Sequence, residues 1–236
     1  HRVLVPLLQA TQTRLDRLVL SHRDTDHVGG AAAVLATQPQ ADMLTSLTAD
    51  HVLLARRSAQ RCEAGQAWTW DGVRFEVLHP RAQDYAAQPP PKPNALSCVV
   101  RISGGGASAL LVGDIERAQE AALLAQPDGA NGLRSTVLLA PHHGSKTSSS
   151  AEFLAAVQPE VVLVQSGYRN RYGHPAAEVM ARYRALGADL AAPQTLEIVD
   201  SPHCGAFTWQ SALPHNGVCA RAQGQRYWHH RVPIGG

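Results

Sequence analysis

Residues 21–30 read Ser-His-Arg-Asp-Thr-Asp-His-Val-Gly-Gly. His22, Asp24, Asp26 and His27 fall within six residues, directly after the apolar run Leu15 to Leu20, which reads as a strand ending at Ser21. A loop that leaves a strand end is a favoured place for chemistry. Alternate residues of an extended turn project to one side, and the next residue closes back on the same point. Imidazole nitrogen with carboxylate oxygen suits zinc or manganese. Gly29 and Gly30 let the backbone turn sharply into the stretch AAAVLATQ, which reads as a helix. A polar surface loop would have to produce this order, with a strand before it and Gly-Gly after it, by coincidence.

Two further strand ends carry metal-type ligands. Asp114 closes the apolar run ALLV in Val112-Gly113-Asp114, where a carboxylate can reach into a metal site. Alone, that pattern is more often a turn aspartate. His142 and His143 follow the strand-like VLLA and Pro141, and precede Gly144 and a Ser-rich stretch that can cap a helix from Ala151. Lys146 beside them carries a cation that can meet a phosphate.

Around these sites strands and helices alternate, which predicts an α/β architecture of sheets covered by helices. AWTWDGVRFEVL holds two alternating segments joined by Asp71-Gly72, a hairpin signal. DYAAQPPPKPN is too Pro-rich for a helix or a central strand and is expected to be a surface loop, mobile and cleavable from Ala86 to Pro93. Strands are predicted over Leu96 to Ile102, Ala109 to Val112, Val137 to Ala140 and Val161 to Val164. Helices are predicted over Glu116 to Gln126, Ala151 to Val157 and Ala176 to Leu186. From about 197 the pattern becomes strand-like and irregular. The reading divides the chain into a hydrolase-type domain over 1–200 and a tail over 201–236 packed on it or extending it.

The composition limits the classes available. The chain has 236 residues and 44% hydrophobic residues, enough for a sizeable core. No apolar run approaches the roughly 18 residues of a membrane span, and Pro6 breaks the only apolar stretch near the start, so no secretory signal is read there. A net charge of +2 neither demands nor excludes nucleic acid. The four cysteines form no CxxC pair, which leaves out a zinc ribbon and a thioredoxin motif.

Together these motifs resemble the metallo-β-lactamase superfamily, whose signature is His-x-His-x-Asp-His followed by a later Asp and a later His. Asp24 stands where the second histidine usually stands. That substitution and the HHGSKTSSS element resemble the ComEC competence branch. Asn94-Ala-Leu-Ser97 is similar to that branch's Asn-x-x-Ser, SGYRNRYGHP at 166–175 to its Asn-x-Tyr-Gly-His-Pro, and CGAFTW at 204–209 with RYW at 226–228 to its C-terminal end. The resemblance implies an αββα sandwich and a site for one or two divalent ions, zinc or manganese. Asp26, His27 and Asp114 with His142 or His143 are the expected ligands of one ion, and His22 and Asp24 of the other. It implies a nuclease that degrades the DNA strand not imported. Asp26 stands on the base side of the reaction, Asp114 in the catalytic set, and Lys146 and His174 as phosphate contacts. Arg169 and Arg171 flank the same loop, within reach of a DNA backbone or simply solvated. The implied partners are single-stranded DNA, the transmembrane channel portion of a parent protein in the bacterial inner membrane, and other competence proteins. The domain itself is expected to be soluble and periplasmic, where a Cys204–Cys219 disulfide would persist.

Two departures from the family pattern shape the rival readings. The superfamily's middle histidine has no counterpart, and Asn94 is nearest in register. Its N-terminal Gly-x-Gly-Asp and Leu-(Val/Ile)-Asp-x-Gly strands are not found, so the first quarter of the fold is expected to be absent and this piece alone to be weak or inactive. One rival is a metallohydrolase of the same fold acting on a small phosphoester or ester. The other is a DNA-binding module without strong catalysis.

Overall fold

The computed structural model describes residues 3–189, 195–213 and 216–224, so the RYW element at 226–228 lies outside the described residues. Three strands form a parallel sheet in the order β1 (Arg17–Leu20), β2 (Asp42–Thr45), β3 (Gln60–Arg61). β2 carries no alternation because Met43, Leu44 and Thr45 are all buried, which is why the sequence reading passed over it. The helix Ala31–Thr37 follows the Gly-Gly pair as expected. It lays Ala31 and Leu35 against Leu20, Met43, Leu47 and Leu53 on one face of this sheet. The other face turns Leu44 toward Val77, Cys98 and Val100 of the second sheet.

The second sheet has seven strands and lists β4 (Ala67–Trp70), β5 (Val73–His79), β6 (Val99–Gly104), β7 (Ala107–Leu111), β8 (Val137–Leu139), β9 (Val161–Val164) and β10 (Glu197–Asp200) from one edge to the other. β4 to β7 are antiparallel, and β7 to β10 run parallel. Asp71 and Gly72 join β4 to β5 with φ of 49° and 79°, the positive pair that a type I′ hairpin requires. Helices Arg117–Leu124, Ala151–Val157 and Ala177–Asp189 cover the outer face, where Phe153, Tyr183, Leu138 and Val162 are fully buried. An aromatic side chain buried like Phe153 contributes about 3–5 kcal/mol. The layers are therefore helix, sheet, sheet, helices, the expected sandwich.

The tail packs on the inner face of the large sheet. Phe207, Trp209 and Cys219 lie against Val137, Val161 and Val199, with β11 (Phe207–Thr208) paired to β12 (Val218–Cys219). The Cys204–Cys219 disulfide is formed, and a second one, which the sequence reading did not anticipate, joins Cys62 after β3 to Cys98 before β6. Beside Arg17 and Val19 of the small sheet, the inner face opens as a trough of about 320 Å³ over Trp68, Phe75, Val100, Ile102 and Leu111. The outer edge of β1 pairs with no strand among the described residues.

The proline segment is shorter than predicted, because ordered turns close both of its ends. Ala82–Tyr85 forms a helical turn held by Asp84, whose carboxylate accepts from the Arg81 N–H at 2.8 Å. Pro93–Leu96 forms a 3-10 turn, so Leu96 precedes the strand that was expected to begin with it. Ala86 to Pro90 remain exposed. Limited proteolysis with an unspecific protease should cut first between Asp84 and Asn94, and survival of that segment under conditions that nick other loops would refute this.

Candidate metal centre

The site gathers at the C-terminal ends of strands. Residues 21–27 follow β1, Val112 to Asp114 follow β7, Pro141 to Gly144 follow β8, and Gln165 follows β9. Because β7, β8 and β9 run parallel side by side, their three loops emerge at one edge of the sheet. Asp24 is extended (ψ 147°), and the single helical turn Thr25–Val28 after it brings Asp26 and His27 round together.

Backbone geometry fixes the other two loops. His142 and His143 both have positive φ, 49° and 55°, a conformation that is costly for non-glycine residues and that persists where surrounding structure enforces it. The His142 N–H donates to the Gly113 carbonyl at 3.1 Å, so the two ligand loops hold each other. A Cβ on Gly113 would sit 3.1 Å from the side chains of Ser21 and Ser97, and one on Gly144 would sit 2.7 Å from Pro175. Only glycine permits those approaches.

Asp114 is the hub. Its side chain is 6% exposed, and its oxygens lie 3.2 Å from His27 Nε2, 3.5 Å from His143 Nε2, 3.7 Å from His142 Nε2 and 3.8 Å from His22 Nε2. Asp26, His27, Asp114 and His143 each bring one donor atom within 4.8 Å of the others. Asp26 Oδ2 is 3.2 Å from His143 Nε2, and the Nε2 atoms of His27 and His143 face each other at 3.3 Å. His22 and His142 approach the same Asp114 oxygen as His143, with Asp24 Oδ2 3.6 Å from His22 Nε2 and the Asn94 amide 3.4 Å from His142 Nε2. His174 packs its ring on His142 at 5.7 Å. Lys146 is exposed on the same loop, lines neither cleft that opens on the cluster, and contributes a backbone carbonyl that accepts from Arg117.

The tautomers follow from residues that the sequence reading missed. His143 Nδ1 donates to the Gln165 carbonyl at 2.7 Å, and His142 Nδ1 faces the Glu116 carboxylate at 3.3 Å. Both acceptors require an Nδ1 proton, which leaves Nε2 bare toward Asp114. Ser21 Oγ lies 3.1 Å from Nδ1 of both His22 and His27, and Ser97 Oγ accepts from the Asp114 N–H at 3.0 Å. Nothing in the sequence signals Glu116, whereas Ser97 was visible as the end of the Asn-x-x-Ser element. Ser21 was visible only as the residue before the motif.

Charge in the cluster is balanced toward a cation. Burial pushes the His22 pKa down, and His27 beside it pushes the same way. Burial also lowers His27, but the hydrogen bond and charge of Asp114 outweigh it and raise the net value. Burial raises Asp114, but the hydrogen bond from His27 together with the charges of His27, His143 and His22 outweighs it, holding the carboxyl below its ordinary value. His22 Nε2 is fully buried with no hydrogen-bond partner, an arrangement that is costly unless something occupies the space before it. A mixed nitrogen and oxygen donor set with one orphaned imidazole nitrogen fits a divalent cation. Replacing Ser21 by Ala should weaken divalent-metal affinity about 10- to 100-fold, as loss of an imidazole anchor does elsewhere. Ser21→Thr should restore it, and chelator competition that ranks Ser21→Ala equal to the parent would show that neither ring needs the hydroxyl.

Comparisons with known proteins agree with this geometry. The model of the Metallo-beta-lactamase superfamily matches residues 4–167. The competence protein ComA of Neisseria gonorrhoeae is 42% identical over 188 residues, covering 79% of this chain and 25% of that protein. Recombination protein 2 of Haemophilus influenzae is 35% identical over 76% of this chain and 21% of its own length. ComE operon protein 3 of Bacillus subtilis is 30% identical over 76% of this chain and 24% of its own length. The chain thus spans about a quarter of these relatives. Among solved structures, the metallo hydrolase Igni18 of Ignicoccus hospitalis matches with a TM-score of 0.48 and 17% identity, covering 78% of this chain and 74% of that one. The chain belongs to the metallo-beta-lactamase superfamily, in the form that this domain takes in ComEC-type competence proteins.

Proposed function

We propose that this domain is a metal-dependent nuclease of a DNA-uptake protein and degrades the strand that is not imported. The observation that carries the reading is the convergence of four imidazoles and Asp26 on the single buried carboxylate of Asp114, beside an open cleft of about 590 Å³. The names of the competence and recombination relatives support DNA as the substrate. Bound at the cluster, one or two zinc or manganese ions supply Lewis acidity toward a phosphoryl oxygen and a water of lowered pKa. Asp26, with its side chain 63% exposed at the cleft, is placed to take the proton of the attacking water. Burial, then His142 and His143, push the His174 pKa down, so it meets a phosphate as a neutral hydrogen-bond donor. The two disulfides support a location outside the cytoplasm. The parent protein's membrane channel and its competence partners belong to the same proposal.

The test incubates the chain, and a version extended upstream, with labelled single-stranded DNA, a lactone and a small phosphodiester, each with manganese or zinc. Hydrolysis of DNA that stops with chelator and returns with metal is expected. Turnover of the small esters alone would overturn the nuclease reading in favour of a small-ester hydrolase, and binding of DNA without hydrolysis of anything would leave a binding module.

A further inference from the structure

The segment 166–175 forms the wall of the cleft opposite Asp26, His27 and His143. Asn170 makes it rigid. Its Oδ1 accepts from the N–H groups of Tyr172 at 3.2 Å and His174 at 3.0 Å, and its Nδ2 donates to the carbonyls of Gly167 at 3.0 Å and His174 at 2.5 Å. On this pinned loop Tyr172 is 66% exposed, an unusual place for a large ring. The ring is nonetheless oriented. It stacks on His174 at 5.9 Å and 18°, and His174 in turn packs on His142, so a tier of rings leads outward from the metal cluster. The Arg171 guanidinium lies 4.8 Å from the Tyr172 ring and donates to its hydroxyl. Asp26 and the Tyr172 ring thus line the same cleft, with the Arg171 guanidinium against that ring.

The geometry points to Tyr172 as a stacking platform for an unpaired nucleobase next to the scissile phosphodiester, the base taking the place over the ring that the exposed Arg171 guanidinium holds in this structure, and Arg171 turning to the neighbouring phosphate. This rests on the nuclease reading and deepens it. Every base has a π-face, so such a platform is tolerant of sequence. In a duplex both faces of a base are taken by its neighbours, so the platform selects single-stranded substrate. The pinning by Asn170 means that little order is lost when the base arrives.

The test compares KM and kcat on a single-stranded oligonucleotide and on the same oligonucleotide made abasic around the cut site, for the parent, Tyr172→Ala and Tyr172→Phe. Metal content and thermal midpoint are checked in all three. The parent should favour the intact strand about 10-fold or more in KM. Tyr172→Ala should bring that ratio close to one, and Tyr172→Phe should keep it, because the ring and not the hydroxyl carries the stack. A Tyr172→Ala ratio equal to the parent's, or a parent that does not distinguish the two strands, would overturn the platform while leaving the nuclease standing. A parent that neither binds nor cuts either strand would overturn the nuclease reading, and the platform with it.

Discussion

Asp114→Ala will empty the metal centre. The carboxylate lies within 3.8 Å of four imidazole nitrogens, and no other acid among the described residues reaches both halves of the cluster. Asp26 touches only the His27 and His143 side, and Asp24 only His22. Without Asp114 the four rings share no anion, and His22 and His27 lose the nearby charge that raises their basicity. Loss of a supporting residue around a metal costs about 10- to 100-fold in affinity, so loss of the hub should exceed about 100-fold. Elemental analysis after dialysis should find the variant close to metal-free. Asp26→Ala and His27→Ala should each lower bound metal sharply as well, because both belong to the tight donor set. Metal content equal to the parent in all three variants would remove the central claim about this site.

Cys62→Ser with Cys98→Ser will cost about 4 kcal/mol of stability, by the loop-closure entropy of a crosslink spanning 36 residues. For a chain of this size that is a fall of about 10 °C in thermal midpoint. The corresponding loss at Cys204–Cys219, which spans 15 residues, is about 3 kcal/mol. The first bridge carries more consequence because of where it lies. Cys98 follows Ser97, whose hydroxyl holds the Asp114 N–H, and the bridge ties this segment to the end of the small sheet. Reduction should therefore weaken metal binding as well as the fold. Thermal melts with and without reductant, beside a thiol titration of protein made in an oxidising compartment, check this. Four titratable thiols in the native protein, or a midpoint indifferent to reductant, would refute it.

Much of the molecule was legible in its local patterns. The strand before Ser21, the helix after Gly30 and the Asp71-Gly72 hairpin each follow from periodicity or turn chemistry within a dozen residues, and the helix Ala151–Val157 and the strand Val161–Val164 match to the residue. The ligand types at 22–27, 114 and 142–143 were legible for the same reason, since a strand end followed by glycine leaves a short loop in which polar residues have little structural reason to cluster. β2 was not legible, because a strand buried on both faces has no alternation to show. The company each ligand keeps lay beyond any local pattern. His27 meets His143 across 116 positions and His22 meets Ser97 across 75, and such contacts are set by which strands become neighbours in the two sheets. The same holds for the tautomers. A histidine's residue type says only that one nitrogen can bind a cation; a backbone carbonyl at Gln165 and a carboxylate at Glu116 choose which one for His143 and His142, and packing alone brings them there.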